Sequence, residues 1–361
     1  MITISLCMIV KNEEAVLSRC LDSIVDLMDE IIIVDTGSTD RTKKIAAKYT
    51  DKIYDFAWNS DFSTARNFSF SKAAMDYIYV ADADEVLDSS NHQKFSLLKR
   101  ALLPEIEIVQ MKYVTKNEFN TVLNFSDECR PKLFKRLREF VWIDPIHETV
   151  RTEPLVFNSD IEIMHLPQGL HSKRDFMGFL FAYKRDGYLS GKLHRMYARE
   201  LLMTGDMQDF TDALPIFLHT IADPGASEDM QKEAACVLAH AYRIIGDDKE
   251  FFKYSLKDIT LNPCSEMCYE LGEFYFQAKD YNEAVIWYYN AAYETNPVLN
   301  IHTHGDLPLE RLAACYEKLA ASLLNGNDAH FSKLYQDYTA KSMEYRHLSE
   351  IWTLPSEEEF L

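Results

Sequence analysis

Apolar residues in the first third of the chain come in short runs, each followed by a segment with helical spacing. Ile4 to Val10 (ISLCMIV) is an almost unbroken apolar run of strand length. Leu17, Cys20, Leu21 and Ile24 follow it at i, i+3, i+4 and i+7, one face of a helix. EIIIVD (Glu30 to Asp35) predicts a second strand. It leads into TGSTDRTKKIAAKY, where Gly37 permits a sharp turn and Ser38 or Thr39 can cap a helix that buries Thr42, Ile45, Ala46 and Tyr49. Lys52 to Trp58 predicts a third strand, SDFSTARNFSFSKA a capped helix, and YIYVADAD, from Tyr77, a fourth strand. Alternation at this spacing implies a parallel sheet with helices on both faces, in which ligands sit beyond the carboxyl ends of the strands. Asp35, Asp82 and Asp84 lie at such ends and are expected to meet in one crevice.

Beyond Asp88 the pattern changes. Val109, Met111 and Tyr113 alternate with Gln110 and Lys112, and KLF, FVWID and DIEIMHL read as further short strands. From Ser172 the chain is helix-forming throughout. Phe176, Phe179, Phe181 and Tyr183 lie among Arg174, Lys184, Arg185, Lys192 and Arg195, a segment expected to pack between domains. Further on, Leu271, Gly272, Tyr275, Tyr281, Ala284, Tyr288, Ala291 and Pro297 match the tetratricopeptide pattern, and Leu238, Ala239, Tyr242, Gly246 and Pro263 form an upstream copy. Tyr242 and Tyr275 are 33 residues apart, close to that repeat's ~34-residue period. The expected organisation is a catalytic domain over 1–170, a helical linker over 171–205 and an all-α tetratricopeptide-like domain over 206–361.

Composition narrows the function. A net charge of −19 argues against a general nucleic-acid binder, which needs a positive face for phosphates. No apolar run reaches the ~18 residues of a membrane span. The start lacks a basic leader, so the expectation is a cytoplasmic protein whose seven cysteines are free thiols. Gly37 is the only glycine in the first 168 residues, which excludes a dinucleotide fingerprint or a P-loop there, since both need several glycines to close backbone amides on phosphate. The acids are concentrated instead. Asp82, Asp84, Glu85 and Asp88 place four carboxylates in seven residues. A solvated strand end leading into a helix would accept such acids. A hard divalent cation would also offset their repulsion, and such a cation is usually shared with a substrate phosphate.

Four segments, MIVKNEE, VDTGSTD, DFSTARN and ADADE, occur in order after successive strands. The combination resembles the family-2 nucleotide-sugar glycosyltransferases with a GT-A fold. The Asp-Phe-Ser-x-Ala-Arg-Asn segment with a later His-Glu pair resembles, within them, lipopolysaccharide core glucosyltransferases and bacterial peptide and protein glycosyltransferases. The resemblance implies an α/β GT-A domain, a UDP-sugar donor and Mn²⁺ or Mg²⁺. It implies that Glu13 and Asp35 contact ribose and uracil, that Arg66 lies near the nucleotide and diphosphate, that Asp82 contacts the ribose or the metal, and that Asp84 ligates the metal, with His165 as a further ligand. His165 stands in HLPQGL where the family often shows His-x-Gly-Tyr. In WIDPIHETV, Glu148 is the expected base for a single inverting displacement, with Asp144 the runner-up, and His147 is a metal or phosphate candidate. Asn12 and Asp40 are expected to cap helices.

The basic run RPKLFKRLR, Arg130 to Arg138, fits either neutralisation of a diphosphate or anionic acceptor, or the protective charge of a strand edge. The expected function is inverting, metal-dependent transfer of a sugar, glucose or N-acetylglucosamine, from a UDP-sugar to a protein or peptide recruited by the repeats. A second copy of the chain, in a homodimer, is the other partner for that surface. The alternatives are a lipopolysaccharide or other cell-surface glycan as acceptor, or a tetratricopeptide interaction protein whose sugar-nucleotide domain is inactive. A sugar-nucleotide pyrophosphorylase is disfavoured, because SLCMIVKNEE lacks the Gly-rich loop which that chemistry uses.

Overall fold

The computed structural model describes residues 1–59, 61–115, 128–138, 142–143, 149–150, 155–166, 172–257, 262–323 and 329–353. Two compact units divide at Arg185/Asp186. The first carries, in chain order, β1 (Ile4–Val10), α1 (Leu17–Ile24), β2 (Glu30–Asp35), α2 (Thr42–Ala46), β3 (Ile53–Asp55), α3 (Phe62–Lys72), β4 (Tyr77–Val80) and β5 (Glu85–Val86). It continues with α4 (Ser89–Ala101), β6 (Ile108–Thr115), β7 (Glu128–Lys135), β8 (Trp142–Ile143), β9 (Thr149–Val150), β10 (Val156–His165) and α5 (Ser172–Asp186).

Eight strands form one sheet in the order β3-β2-β1-β4-β7-β6-β10-β5, and β8 pairs with β9 apart from it. The first four strands are mutually parallel. β7 runs antiparallel between β4 and β6, β10 is parallel to β6, and β5 is antiparallel to β10. This is the parallel core followed by a mixed region that the alternation and the short later strands imply. The parallel strands are apolar almost throughout because both faces are covered. On one face Leu6, Met8, Ile31 and Ile33 pack with Leu17, Cys20, Leu21 and Ile24 of α1 and Phe95 of α4. On the other, Cys7, Ile32, Val34, Ile78 and Val80 pack against Phe68 and Phe70 of α3.

Details differ from the sequence reading. The third strand is short, Ile53–Asp55. α2 is capped by neither Ser38 nor Thr39: its N-cap is Arg41, which makes no side-chain cap, and Asp40 Oδ1 just before it accepts from the Thr42 backbone N–H at 2.9 Å, while Asn12 caps no helix. Asp61 caps α3 as expected, accepting from Thr64 N at 3.2 Å. β7 is an interior strand, so its basic run is not edge protection.

The second unit contains α6 (Gly191–Thr204), α7 (Met207–Ala222), α8 (Glu228–Ile245), α9 (Asp248–Ser255), α10 (Ser265–Gln277), α11 (Tyr281–Tyr289), α12 (Asp306–Ser322) and α13 (Ala329–Ile351). The stretch 171–205 is thus split, with α5 in the first unit and α6 in the second. Gly272 of α10 is required by close approach: a Cβ there would lie 2.6 Å from Cδ1 of the buried Tyr288 on α11. All seven cysteines are unbonded. Cys236 and Cys264 meet at 3.5 Å in the core, and the neighbouring Glu266 carboxylate is held by the backbone N–H groups of Val298, Leu299 and Asn300. Among the described residues no helix is long and apolar enough to cross a membrane.

Candidate active site

The carboxyl ends of β2 and β4 carry the acids, as parallel topology requires. Asp35 closes β2 and is buried. Its Oδ1 accepts from Gly37 N at 3.0 Å and Ser38 N at 2.9 Å, a turn that needs the positive φ (104°) of Gly37. Its Oδ2 is buried and has no hydrogen-bond partner among the described residues. A buried carboxylate oxygen without a donor is costly, and a ligand N–H or O–H would satisfy it.

β4 delivers the acidic loop, and α3 and the later strands of the sheet supply its neighbours. Arg66, buried on α3, donates from Nη2 to Asp82 Oδ1 at 2.5 Å. Burial pushes the Asp82 carboxyl up, but the charges of Arg66, Lys132 and Arg130 overcome this and hold it well below the usual carboxylate range. Glu85, the first residue of β5, is buried beside Lys132 of β7, which donates to its Oε1. Burial, aided by the charges of Asp82 and Asp84, outweighs Lys132 and raises the Glu85 carboxyl.

Antiparallel pairing of β5 with β10 sets His165 opposite Glu85. Leu166 N then donates to Asp84 O at 3.0 Å, and His165 Nε2 lies 3.0 Å from Asp84 Oδ2. His165 Nδ1 is buried and without a hydrogen-bond partner among the described residues. The His165 ring packs 5.0 Å from the Tyr113 ring, and the Arg130 guanidinium covers Tyr113 at 3.8 Å. A separation of 3.0 Å suits a hydrogen bond, and it also equals the spacing of adjacent ligands about an octahedral ion with bonds of about 2.1 Å. Asp84 and His165 therefore fit a hard divalent cation, while Asp82 turns toward Arg66.

The expected residues divide accordingly. Asp35, Arg66, Asp82, Asp84 and His165 are all described, and the structure couples Arg66 with Asp82 and Asp84 with His165. Glu13 starts the turn into α1, its backbone N–H on Thr42 Oγ1 at 2.7 Å. Glu148, Asp144 and His147 lie outside the described residues. Sequence reasoning did not foresee the Glu85–Lys132 pair or the Arg130–Tyr113 stack, although the basic run of β7 was their signal.

Residues 5–161 match the family model for glycosyl transferase family 2. That stretch lies within the first unit, so the similarity to family-2 glycosyltransferases falls on the mixed α/β sheet. The particular relatives are more distant. An 87-residue stretch, 24% of this chain, is 49% identical to a TPR repeat-containing protein of Synechococcus elongatus and covers 22% of it. A stretch of 162 residues, 44% of this chain, is 32% identical to the SPbeta prophage-derived glycosyltransferase SunS of Bacillus subtilis and covers 36% of it. An uncharacterized glycosyltransferase of Rickettsia typhi is 28% identical over 45% of this chain and 55% of its own length. The chain thus spans between about a fifth and just over half of these curated relatives. Among solved structures, glucosyl-3-phosphoglycerate synthase of Mycobacterium tuberculosis superposes with a TM-score of 0.39 at 16% identity, over 53% of this chain and 82% of that one. It has also been crystallised with Mn²⁺ and UDP-glucose.

Proposed function

We propose that this protein is a metal-dependent, inverting glycosyltransferase that moves a sugar from a UDP-sugar to a protein or peptide acceptor. The observation that carries this reading is the pairing of Asp84 with His165 beside the Arg66–Asp82 ion pair, at the same carboxyl end of the sheet as the Asp35 oxygen that has no partner among the described residues. In this reading Asp35 accepts from uracil N3–H or a ribose hydroxyl, and Glu13 completes the nucleoside contact. Arg66 anchors the acidic loop through Asp82 and adds positive charge beside the diphosphate. Asp84 and His165 would hold a Mn²⁺ or Mg²⁺ ion, which supplies charge against the leaving diphosphate. Glu148 takes the acceptor proton as the nucleophile attacks C1, with Asp144 as the other candidate base. The helical repeats of the second unit recruit the acceptor.

The test is a screen of nucleotide sugars for thermal shift and donor hydrolysis, with Mn²⁺ and with Mg²⁺, followed by analysis of the product anomer. A UDP-sugar should be preferred, and transfer should invert the anomeric centre. Retention of configuration, or absence of turnover with every donor, would reject the assignment.

A further inference from the structure

We infer that Asn12 is a positioning residue for the donor site, one that bolts the loop after β1 to the loop after β2 and so fixes the Asp35 carboxylate. The inference rests on the donor reading of Asp35 given above. Asn12 has a φ of 57°, a left-handed conformation which asparagine tolerates better than most residues with a Cβ. That conformation presents its backbone N–H to Ser38 Oγ at 2.9 Å. Its side-chain Oδ1 accepts from Thr39 N at 2.8 Å and from the Thr39 hydroxyl at 3.3 Å.

The next two residues repeat the exchange. Glu13 N donates to Thr42 Oγ1 at 2.7 Å and Glu14 N to Asp40 Oδ2 at 3.1 Å, while Arg41 N donates back to Glu14 Oε2 at 2.9 Å. Three successive amides after β1 are thus received by side chains of the segment after β2, and that segment returns two backbone N–H groups. The consequence falls on Asp35, because its Oδ1 is held by Gly37 and Ser38, whose neighbour Thr39 is clasped by Asn12. With Oδ1 so engaged, Oδ2 is the oxygen left for the nucleoside. Releasing Thr39 frees the turn, and the Asp35 carboxylate loses its fixed direction. Asn12 itself needs no contact with the nucleotide.

The test uses the full chain and three variants. Asn12→Gly keeps the positive φ at no steric cost and deletes the side chain whose Oδ1 receives both Thr39 donors. Asn12→Asp restores an acceptor for both Thr39 donors. Ser38→Ala removes the acceptor of the Asn12 N–H, and so strikes the bolt from its other side should Asn12→Gly fold poorly. Hydrogen exchange on the ligand-free protein should show faster exchange of the Thr39 amide and its neighbours in Asn12→Gly. UDP affinity should fall roughly tenfold in the same variant, with donor KM raised to match and kcat within about twofold of wild type. Asn12→Asp should recover most of the affinity, and Ser38→Ala should weaken UDP by about threefold.

Unchanged exchange in Asn12→Gly overturns the bolt. Faster exchange with wild-type UDP affinity overturns the positioning role while leaving the donor reading intact. A fall in kcat with KM unchanged assigns Asn12 to the chemical step instead, which also overturns positioning. Wild-type protein that binds no uridine nucleotide overturns the donor reading itself, and the positioning role with it.

Discussion

At Asp84 the carboxylate is only part-buried and its hydrogen-bond neighbour is one histidine, so its charge can be removed without opening the core. Asp84→Asn should keep the fold, measured by circular dichroism, and lose donor turnover by about 100-fold or more, because under the proposed function it takes a charged ligand from the cation that faces the leaving diphosphate. Wild-type protein in excess EDTA should lose activity similarly and regain it with Mn²⁺. Near-normal turnover in the variant, or full activity in EDTA, would remove the metal role. The acids of this site were legible in the sequence because they follow apolar runs directly, and strand ends are where a parallel sheet places ligands. Their pairing was not legible in the periodicity, and only the family resemblance set His165 with Asp84. Asp82 meets an arginine 16 residues away on a helix, whereas Asp84 meets a histidine 81 residues away through a strand of only two residues. A two-residue strand has no periodicity to read, so the β5–β10 register that brings His165 to the loop has no local signal.

Among the elements, the helices of the second unit are tied by carboxylates that reach across from one helix to another. Glu270 of α10 bonds His240 Nδ1 at 2.8 Å and Arg243 Nε at 2.5 Å, both on α8. Burial pushes the Glu270 carboxyl up, but the charges of His240 and Arg243 and their hydrogen bonds overcome it and lower it to about 2, from an ordinary value of 4.5. A depressed folded-state value means that the stabilisation is complete above the unfolded value and is lost as pH falls through the folded one. Glu270→Gln should therefore destabilise the repeat unit by about 3–5 kcal/mol near neutral pH, since it strands the largely buried Arg243 charge. The gap between wild type and variant should narrow as pH falls from about 4.5 toward 2. Urea unfolding followed by far-UV circular dichroism measures both, and a gap that stays constant over that range would show the pair to be electrostatically idle. The repeat period was legible here, and more deeply than in the aromatic residues alone. Gly246 and Lys279, 33 residues apart, both adopt positive φ at the turn between paired helices, and Asp247 and Asp280 cap the helices that follow. Lysine at the second left-handed position hides the match from a reader who looks for glycine.

For the whole molecule, the division at Arg185/Asp186 decides how the two activities proposed for the chain can be separated. Sequence periodicity shows that α5 and α6 each carry an apolar face, but not which body that face packs against. Hence a single linker over 171–205 was the natural reading of two helices that belong to different units. In α6, Leu193, Tyr197 and Leu201 are buried, and His194 Nδ1 lies 2.9 Å from Glu233 Oε2 of α8, so this helix is a working part of the second unit. A fragment ending after Leu202 would leave that face uncovered, whereas one ending at Arg185 keeps α5 and the Arg185–Asp61 ion pair at the start of α3. Every residue proposed for the donor and the base precedes that point. The 1–185 fragment should therefore fold, bind UDP with affinity close to the full chain, and slowly hydrolyse the UDP-sugar. Its transfer to the acceptor should fall at least about tenfold further than hydrolysis, because delivery of the nucleophile is lost while the donor site remains. The longer fragment should be the less soluble of the two. If 1–185 transfers to the acceptor as well as the full chain does, the repeats serve assembly or stability, and acceptor recruitment must be sought on the first unit.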